Sequence, residues 1–187
     1  MILKIAAYLL LATFFLLERF LRKGETAKNI SAKKIDKKST LLLLIAYFTV
    51  LAVSLVLNAT EVGTFANTAI AIAGLIFMAI GIVIRIWSMS ILKAYFTRTL
   101  DLADKQSLIT RGPYAIVRHP GYLGSLLIWG FAGLAMQNFV IFFISVTMLV
   151  VAYAYRINSE EEMMHKNFGN LYEEYKKHTW KVLPPIW

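Results

Sequence analysis

PGYLGSLLIWGFAGLAMQNFVIFFISVTMLVVAYAY, residues 120–155, is the longest apolar run in the chain. One membrane helix needs about 20 apolar residues to cross a hydrocarbon core of about 30 Å, so this run is too long for a single crossing. Gln137-Asn138 interrupts it near the middle, and each flanking half is a near-minimal span. The pattern predicts a tight helical hairpin; a re-entrant pair reaching only part-way across is the alternative. Working outward, three further apolar regions lie at about 2–21, 40–58 and 66–92, each long enough for one crossing. The fold class expected is an all-α integral membrane protein with about five transmembrane helices and a cytoplasmic C-terminal helical cap.

Composition supports the same class. Of 187 residues, 58% are hydrophobic and only 17% charged, and the charges cluster between the apolar runs, as a bilayer core demands. One membrane domain over 1–187 is expected. The net charge of +9 does not point to nucleic acid, because the basic residues sit in loops beside apolar segments and not on one soluble face. The absence of cysteine excludes disulfides, thiolate metal sites, a cysteine nucleophile, palmitoylation and a prenylation box of the chain's own. Met1–Leu17 resembles a signal peptide but runs directly into Glu18-Arg19 with no small-residue cleavage site, so a retained first span is expected.

Loop charge gives an orientation. Segment 22–39 carries Arg22, Lys23, Lys28, Lys33, Lys34, Lys37 and Lys38, whereas 59–65 has no Lys or Arg. Segment 93–119 carries Lys93, Arg98, Lys105, Arg111 and Arg118; the 137–138 turn has none, and the tail is basic again. The alternation places the amino terminus outside and the tail in the cytoplasm. No strand pattern, internal repeat or strand–Gly-rich-turn–helix signature occurs, so a nucleotide-like cofactor would bind without a Rossmann fold.

Three constellations could carry chemistry. In Arg111-Gly-Pro-Tyr-Ala-Ile-Val-Arg-His-Pro-Gly-Tyr-Leu-Gly124, Pro113 and Pro120 bias the preceding residues away from helix. His119 then precedes a helix that begins at Pro120, with free amides, an imidazole and the phenols of Tyr114 and Tyr122 close by. Such a helix start suits polar or anionic ligand groups; an interfacial belt of Tyr, His and Arg is the plainer reading. In Arg156-Ile-Asn-Ser-Glu-Glu-Glu162, Arg156 and Glu160 share one helix face. They form either a surface pair or an anionic site facing a sulfonium or ammonium ligand. Third, Met164, Phe168, Leu171, Tyr172 and Tyr175 describe an amphipathic tail that Gly169 can divide in two. Arg85, well inside the third span, either snorkels or faces the bundle interior and stabilises an anionic group there.

Taken together, these segments resemble the isoprenylcysteine carboxyl methyltransferases and their microbial relatives. The resemblance covers about residues 81–187, leaving 1–80 as N-terminal spans with little family signal. It rests on Arg85-Ile-Trp87, Tyr95-Phe-Thr97, Leu108-Ile109, Gly112 with Tyr114, Arg118-His-Pro-x-Tyr122 with Gly124, and Arg156 followed by Glu160-Glu161. It continues through Phe168-Gly-x-x-Tyr172-x-x-Tyr175 to Leu183-Pro184. The histidine-proline-tyrosine element alone is shared with phospholipid methyltransferases and some membrane reductases; the ordered set is specific.

The resemblance implies methyl transfer from S-adenosylmethionine to a lipophilic or lipidated carboxylate at the cytoplasmic face. It places Gln106, Ser107, Leu108, Ile109, Tyr114, His119, Pro120 and Tyr122 around the cofactor. It makes Glu160 the carboxylate that holds the cofactor and Arg156 the residue that orients the substrate carboxylate, with no metal. The alternatives are a phospholipid or other amine N-methyltransferase, a nicotinamide-dependent membrane reductase, and a non-catalytic scaffold or transporter component. Against transport, the spans hold almost no polar groups apart from Arg85.

Overall fold

The structure is a computed structural model and describes residues 1–20, 34–92 and 108–187. Its elements in chain order are α1 (Ile2–Phe20), α2 (Lys34–Thr60), α3 (Thr68–Leu92), a 3-10 turn (Gly112–Ala115), α4 (Pro120–Ala135), α5 (Phe139–Phe168) and α6 (Asn170–Lys177). Among the described residues, three helical segments, Lys38–Thr60, Thr68–Leu92 and Phe139–Phe168, are long and apolar enough to cross a membrane. α1 has 19 residues but carries Lys4 near one end and Glu18-Arg19 near the other. α4 is apolar and 16 residues long, about 24 Å at the helical rise, shorter than the hydrocarbon core.

The hairpin expected from Gln137-Asn138 is present. Gln137 adopts a left-handed φ of 59°. Asn138 caps α5 by accepting from Ile141 N at 3.0 Å, the usual role of Asn at this position. The Asn138 amide also donates to Val62 O at 2.8 Å, and Phe65 N donates to Gln137 O at 2.9 Å. The α2–α3 and α4–α5 connections are therefore joined at one end of the bundle. At the other end α5 continues past Tyr155, as one uninterrupted helix to Phe168. Gly169 then breaks it at φ 51° and α6 begins, the division anticipated in the tail.

Small residues set the helix spacing. A Cβ added to Gly124 of α4 would lie 2.8 Å from Gly81 O and 3.0 Å from Arg85 N of α3, and one on Gly133 would lie 2.2 Å from Phe142 N of α5. Lipid tails give apolar helix faces little reason to prefer each other, so close backbone approach supplies much of the association energy. Around this axis Phe14, Tyr47 and Trp129 pack together with ring centroids 4.8 to 5.7 Å apart. Leu9, Phe48, Val83, Phe143 and Val151 face outward, where lipid would solvate them.

Two glycines of α4 make a matched test. The space beside Gly133 is filled by α5 backbone, whereas a Cβ at Gly130 meets only the end of the Val146 side chain at 3.2 Å. Gly133→Ala is expected to destabilise by about 3 kcal/mol, the upper range of overpacking, and Gly130→Ala by less than about 1 kcal/mol. Thermal unfolding of both variants in nanodiscs checks the difference.

Candidate active site

The loop between α3 and α4 is shaped by residues some sixty positions later. Within it, Gly112 has a positive φ of 63° and starts the 3-10 turn with Pro113 as its second residue, and Val117 N donates to Pro113 O at 3.0 Å. Residues 116–119 then lie alongside the tail: Trp180 N donates to Ile116 O at 3.0 Å, Arg118 N to Trp180 O at 2.8 Å, and His119 N to Lys181 O at 3.1 Å. The Tyr175 hydroxyl donates to Tyr114 O at 2.6 Å. The Arg118 guanidinium donates to the carbonyls of Thr179 and Lys176.

His119 leaves this loop in a non-helical conformation and Pro120 opens α4 at the first helical position, as the two prolines imply. Two of the amides after it are taken, however: Tyr122 N and Leu123 N both donate to His119 O, at 3.0 and 3.2 Å. The expected open helix start is therefore narrowed, and side chains dominate the site.

Those side chains form one cluster between α4 and the far end of α5. The Tyr122 hydroxyl donates to Glu160. Arg156 donates through Nε to Tyr122 Oη at 2.7 Å and to Glu160 Oε1 at 3.2 Å. The same guanidinium reaches α2 through Nη1, to Ser39 Oγ at 3.1 Å and Thr40 Oγ1 at 3.0 Å. The His119 ring lies between two carboxylates, with Nδ1 3.4 Å from Glu160 and Nε2 3.4 Å from Glu161. Glu161 is held in turn by Arg118 at 2.9 Å and Lys181 at 3.3 Å. Arg156 is buried, while the Glu160 side chain keeps 20% of its surface open. A buried cation and a partly open carboxylate thus meet at one point.

Burial alone would pull the His119 pKa down. Hydrogen bonds and charge from Glu160 and Glu161 outweigh it and raise the value above 6.5. Both ring nitrogens face acceptor-only groups, which an imidazolium satisfies and a neutral ring cannot.

Of the residues singled out from sequence, the structure brings His119, Tyr122, Arg156 and Glu160 together. Pro120 starts the helix beside them, and Tyr114 is buried in the adjoining turn. Leu108 and Ile109 are half-buried at the entrance to that turn. Gln106 and Ser107 lie outside the described residues, as do Tyr95-Phe-Thr97 and most of the basic segments at 22–33 and 93–107. Ser39 and Thr40 were missed; the only sequence signal is a hydroxyl pair where a lysine-rich segment becomes apolar. Arg118 was read as a loop charge and as the start of the histidine-proline-tyrosine element, Lys181 only as part of the basic tail, and Glu18 only as the end of the first span.

A family model described as phospholipid methyltransferase matches residues 69–171, more than half the chain. The chain belongs to this family. Among curated relatives, a probable protein-S-isoprenylcysteine O-methyltransferase of Oryza sativa subsp. japonica is 34% identical over 116 residues, 60% of this chain and 60% of the relative. The protein-S-isoprenylcysteine O-methyltransferase of Dictyostelium discoideum is 30% identical over 119 residues, 60% of this chain and 48% of the relative. That of Schizosaccharomyces pombe is 36% identical over 80 residues, 42% of this chain and 34% of the relative. The match thus spans at most about 60% of these relatives' length. Among solved structures, the eukaryotic intramembrane Ras methyltransferase ICMT (isoprenylcysteine carboxyl methyltransferase) has the same fold, with a TM-score of 0.69 at 23% identity. That alignment covers 75% of this chain and 52% of the other. The family's membrane fold and the resemblance read from sequence are therefore both upheld.

The state of His119 has a measurable consequence. A folded-state pKa raised above the unfolded value of about 6.5 means that its pairing stabilises fully below that pH and is lost as pH rises through the folded value. Thermal unfolding in nanodiscs between about pH 6 and pH 9 should show a declining midpoint, with a flatter curve for His119→Gln.

Proposed function

We propose that this chain is an S-adenosylmethionine-dependent membrane methyltransferase that esterifies the carboxylate of a lipophilic, isoprenylcysteine-like acceptor at the cytoplasmic membrane face. The observation that carries the reading is the direct contact of Arg156 with both Tyr122 and Glu160. An anion-binding group and a cation-binding group adjoin there, which transfer from a sulfonium to a carboxylate requires.

The donor set suits such a cofactor. Glu160 and Glu161 offer anionic oxygens to its cationic groups, and His119 holds the two carboxylates in place from between them. When bound, S-adenosylmethionine supplies an electrophilic methyl group. The chain's own residues bind, orient and exclude water. Arg156 presents a planar guanidinium that matches two carboxylate oxygens. Tyr122 and Glu160 fix the plane of that guanidinium from one side, and Ser39 and Thr40 from the other. An ionised carboxylate is already nucleophilic, so no general base is needed.

The family description brings in a second reading, methylation of a phospholipid amine. A neutral amine beside the buried Arg156 would be poorly placed, because the cation gives it no partner and opposes the charge it develops. Alkali separates the two products, since a methyl ester releases methanol and an N-methyl amine does not.

Purified chain in nanodiscs should bind S-adenosylmethionine saturably. Glu160→Gln should weaken binding at least about tenfold, while Arg156→Ala should abolish transfer to an S-prenylated N-acetylcysteine and change cofactor affinity by less than about threefold. Equal loss of both properties in a folded Arg156→Ala variant would contradict this division of roles.

The orientation follows from the basic loops. With no native cysteine, His178→Cys provides a single thiol. A membrane-impermeant maleimide should label it from the cytoplasmic side only.

A further inference from the structure

Glu18 lies in α1, well before the start of the family match at residue 69, and nothing in the cluster around Arg156 uses it. In the structure it is buried and paired with Arg85 of α3. Glu18 Oε1 accepts from Arg85 Nε at 3.0 Å and from Nη2 at 2.5 Å. The third guanidinium nitrogen, Nη1, donates to Gly121 O at 2.7 Å. Phe14 of α1 covers the guanidinium, with its ring centroid 5.7 Å from Cζ. Arg85 thus does not snorkel: it faces the bundle interior, pairs with an anionic group there and joins three helices.

The place where it joins them is informative. Gly121 is the second residue of α4, between Pro120 and Tyr122, and its carbonyl also accepts from Ser125 Oγ at 3.1 Å. The α3 backbone at Arg85 is packed against Gly124 one turn further on, which fixes the lateral distance between the helices. The Arg85–Gly121 bond then fixes where the first turn of α4 sits along α3. Tyr122, the next residue, touches both Arg156 and Glu160.

A buried ion pair is weak evidence for stability, because desolvation offsets most of the Coulombic gain and apolar replacements are often tolerated. Its geometric effect is to hold a forked donor in one orientation. We propose that Glu18 and Arg85 are positioning residues: Glu18 orients the Arg85 fork, Arg85 pins the Gly121 carbonyl, and the pinned turn sets Tyr122 against Arg156 and Glu160. The catalytic consequence rests on the methyl transfer proposed above; the geometric claim does not.

The test is amide hydrogen exchange of the full chain in nanodiscs, read alongside methyl transfer from S-adenosylmethionine to an S-prenylated N-acetylcysteine. The variants are Glu18→Gln, Glu18→Asp, Arg85→Lys and the exchanged pair Glu18→Arg/Arg85→Glu. In Glu18→Gln, exchange of the Tyr122 and Leu123 amides should rise about tenfold while α5 and the second half of α4 stay unchanged. Glu18→Asp should recover slow exchange. The exchanged pair restores opposite charges between α1 and α3, but a carboxylate at 85 cannot donate to a carbonyl, so the first turn should remain fast. In the variants whose first turn exchanges fast, kcat should fall about tenfold with KM for S-adenosylmethionine within about twofold, and Glu18→Asp should recover kcat. Arg85→Lys, which keeps the charge but not the fork, carries the same readout if Glu18→Gln does not fold.

Exchange that rises equally in every helix, or does not rise, would overturn the proposal. So would an exchanged pair that restores slow exchange at Tyr122. A wild-type chain that transfers no methyl group would defeat the functional reading alone, because the exchange comparison would still decide the geometry.

Discussion

Backbone contact between α3 and α4 at Gly81 and Gly124 is the constraint on which the other placements depend. In a bilayer, apolar faces gain little by leaving lipid, so a helix pair must be held by shape and by the few polar contacts available. The missing side chains at these glycines let the two backbones meet. That contact puts Arg85 within reach of Gly121, and α4 then delivers His119 and Tyr122 at its first turn. The tight turn at Gln137 returns the chain as α5, whose length carries Arg156, Glu160 and Glu161 back to the same end of the bundle. At 30 residues, α5 is long enough to pass the whole of α4 and still present its acidic face to the preceding loop.

The helices were legible because hydrophobic length and loop charge are properties of contiguous sequence. The hairpin was readable from two polar residues in an apolar run, and the break at Gly169 from one glycine in an amphipathic pattern. The two halves of the site were legible as local patterns, but that they belong together came only from the family resemblance. Arg156 and Glu160 share a face by helical periodicity, and His119 and Tyr122 flank one helix start. The pairs that could not be read join distant positions: Arg156 with Ser39 and Thr40, Arg85 with Glu18, and His119 with Lys181. No periodicity links such residues, and each lies in a segment whose local pattern has a simpler explanation. The open helix start was narrowed because the Tyr122 amide closes on the carbonyl of His119.

The charges of the site are arranged in alternation. Glu160 lies between Arg156 and His119, and Glu161 between His119, Arg118 and Lys181. Each carboxylate is neutralised from more than one side, which allows two adjacent glutamates to stay ionised in a largely buried setting. The arrangement also ties three parts of the chain together electrostatically, because the cations come from the loop, from α5 and from the tail. Arg156 is also anchored to α2, by hydroxyls that lie outside the matched region.

The tail that runs beside residues 116–119 bears on how the protein is made. Helices α1 to α5 can enter the membrane one after another during synthesis, and most of their mutual contacts are available as they arrive. The loop that carries His119 has no such opportunity: its partners at 179–181 are about sixty residues further on and emerge only some seconds later at ordinary elongation rates. A nascent chain therefore passes through a stage in which the bundle is assembled and the site is not. The membrane-embedded part can be sound before the protein is competent, and the closing step takes place in water.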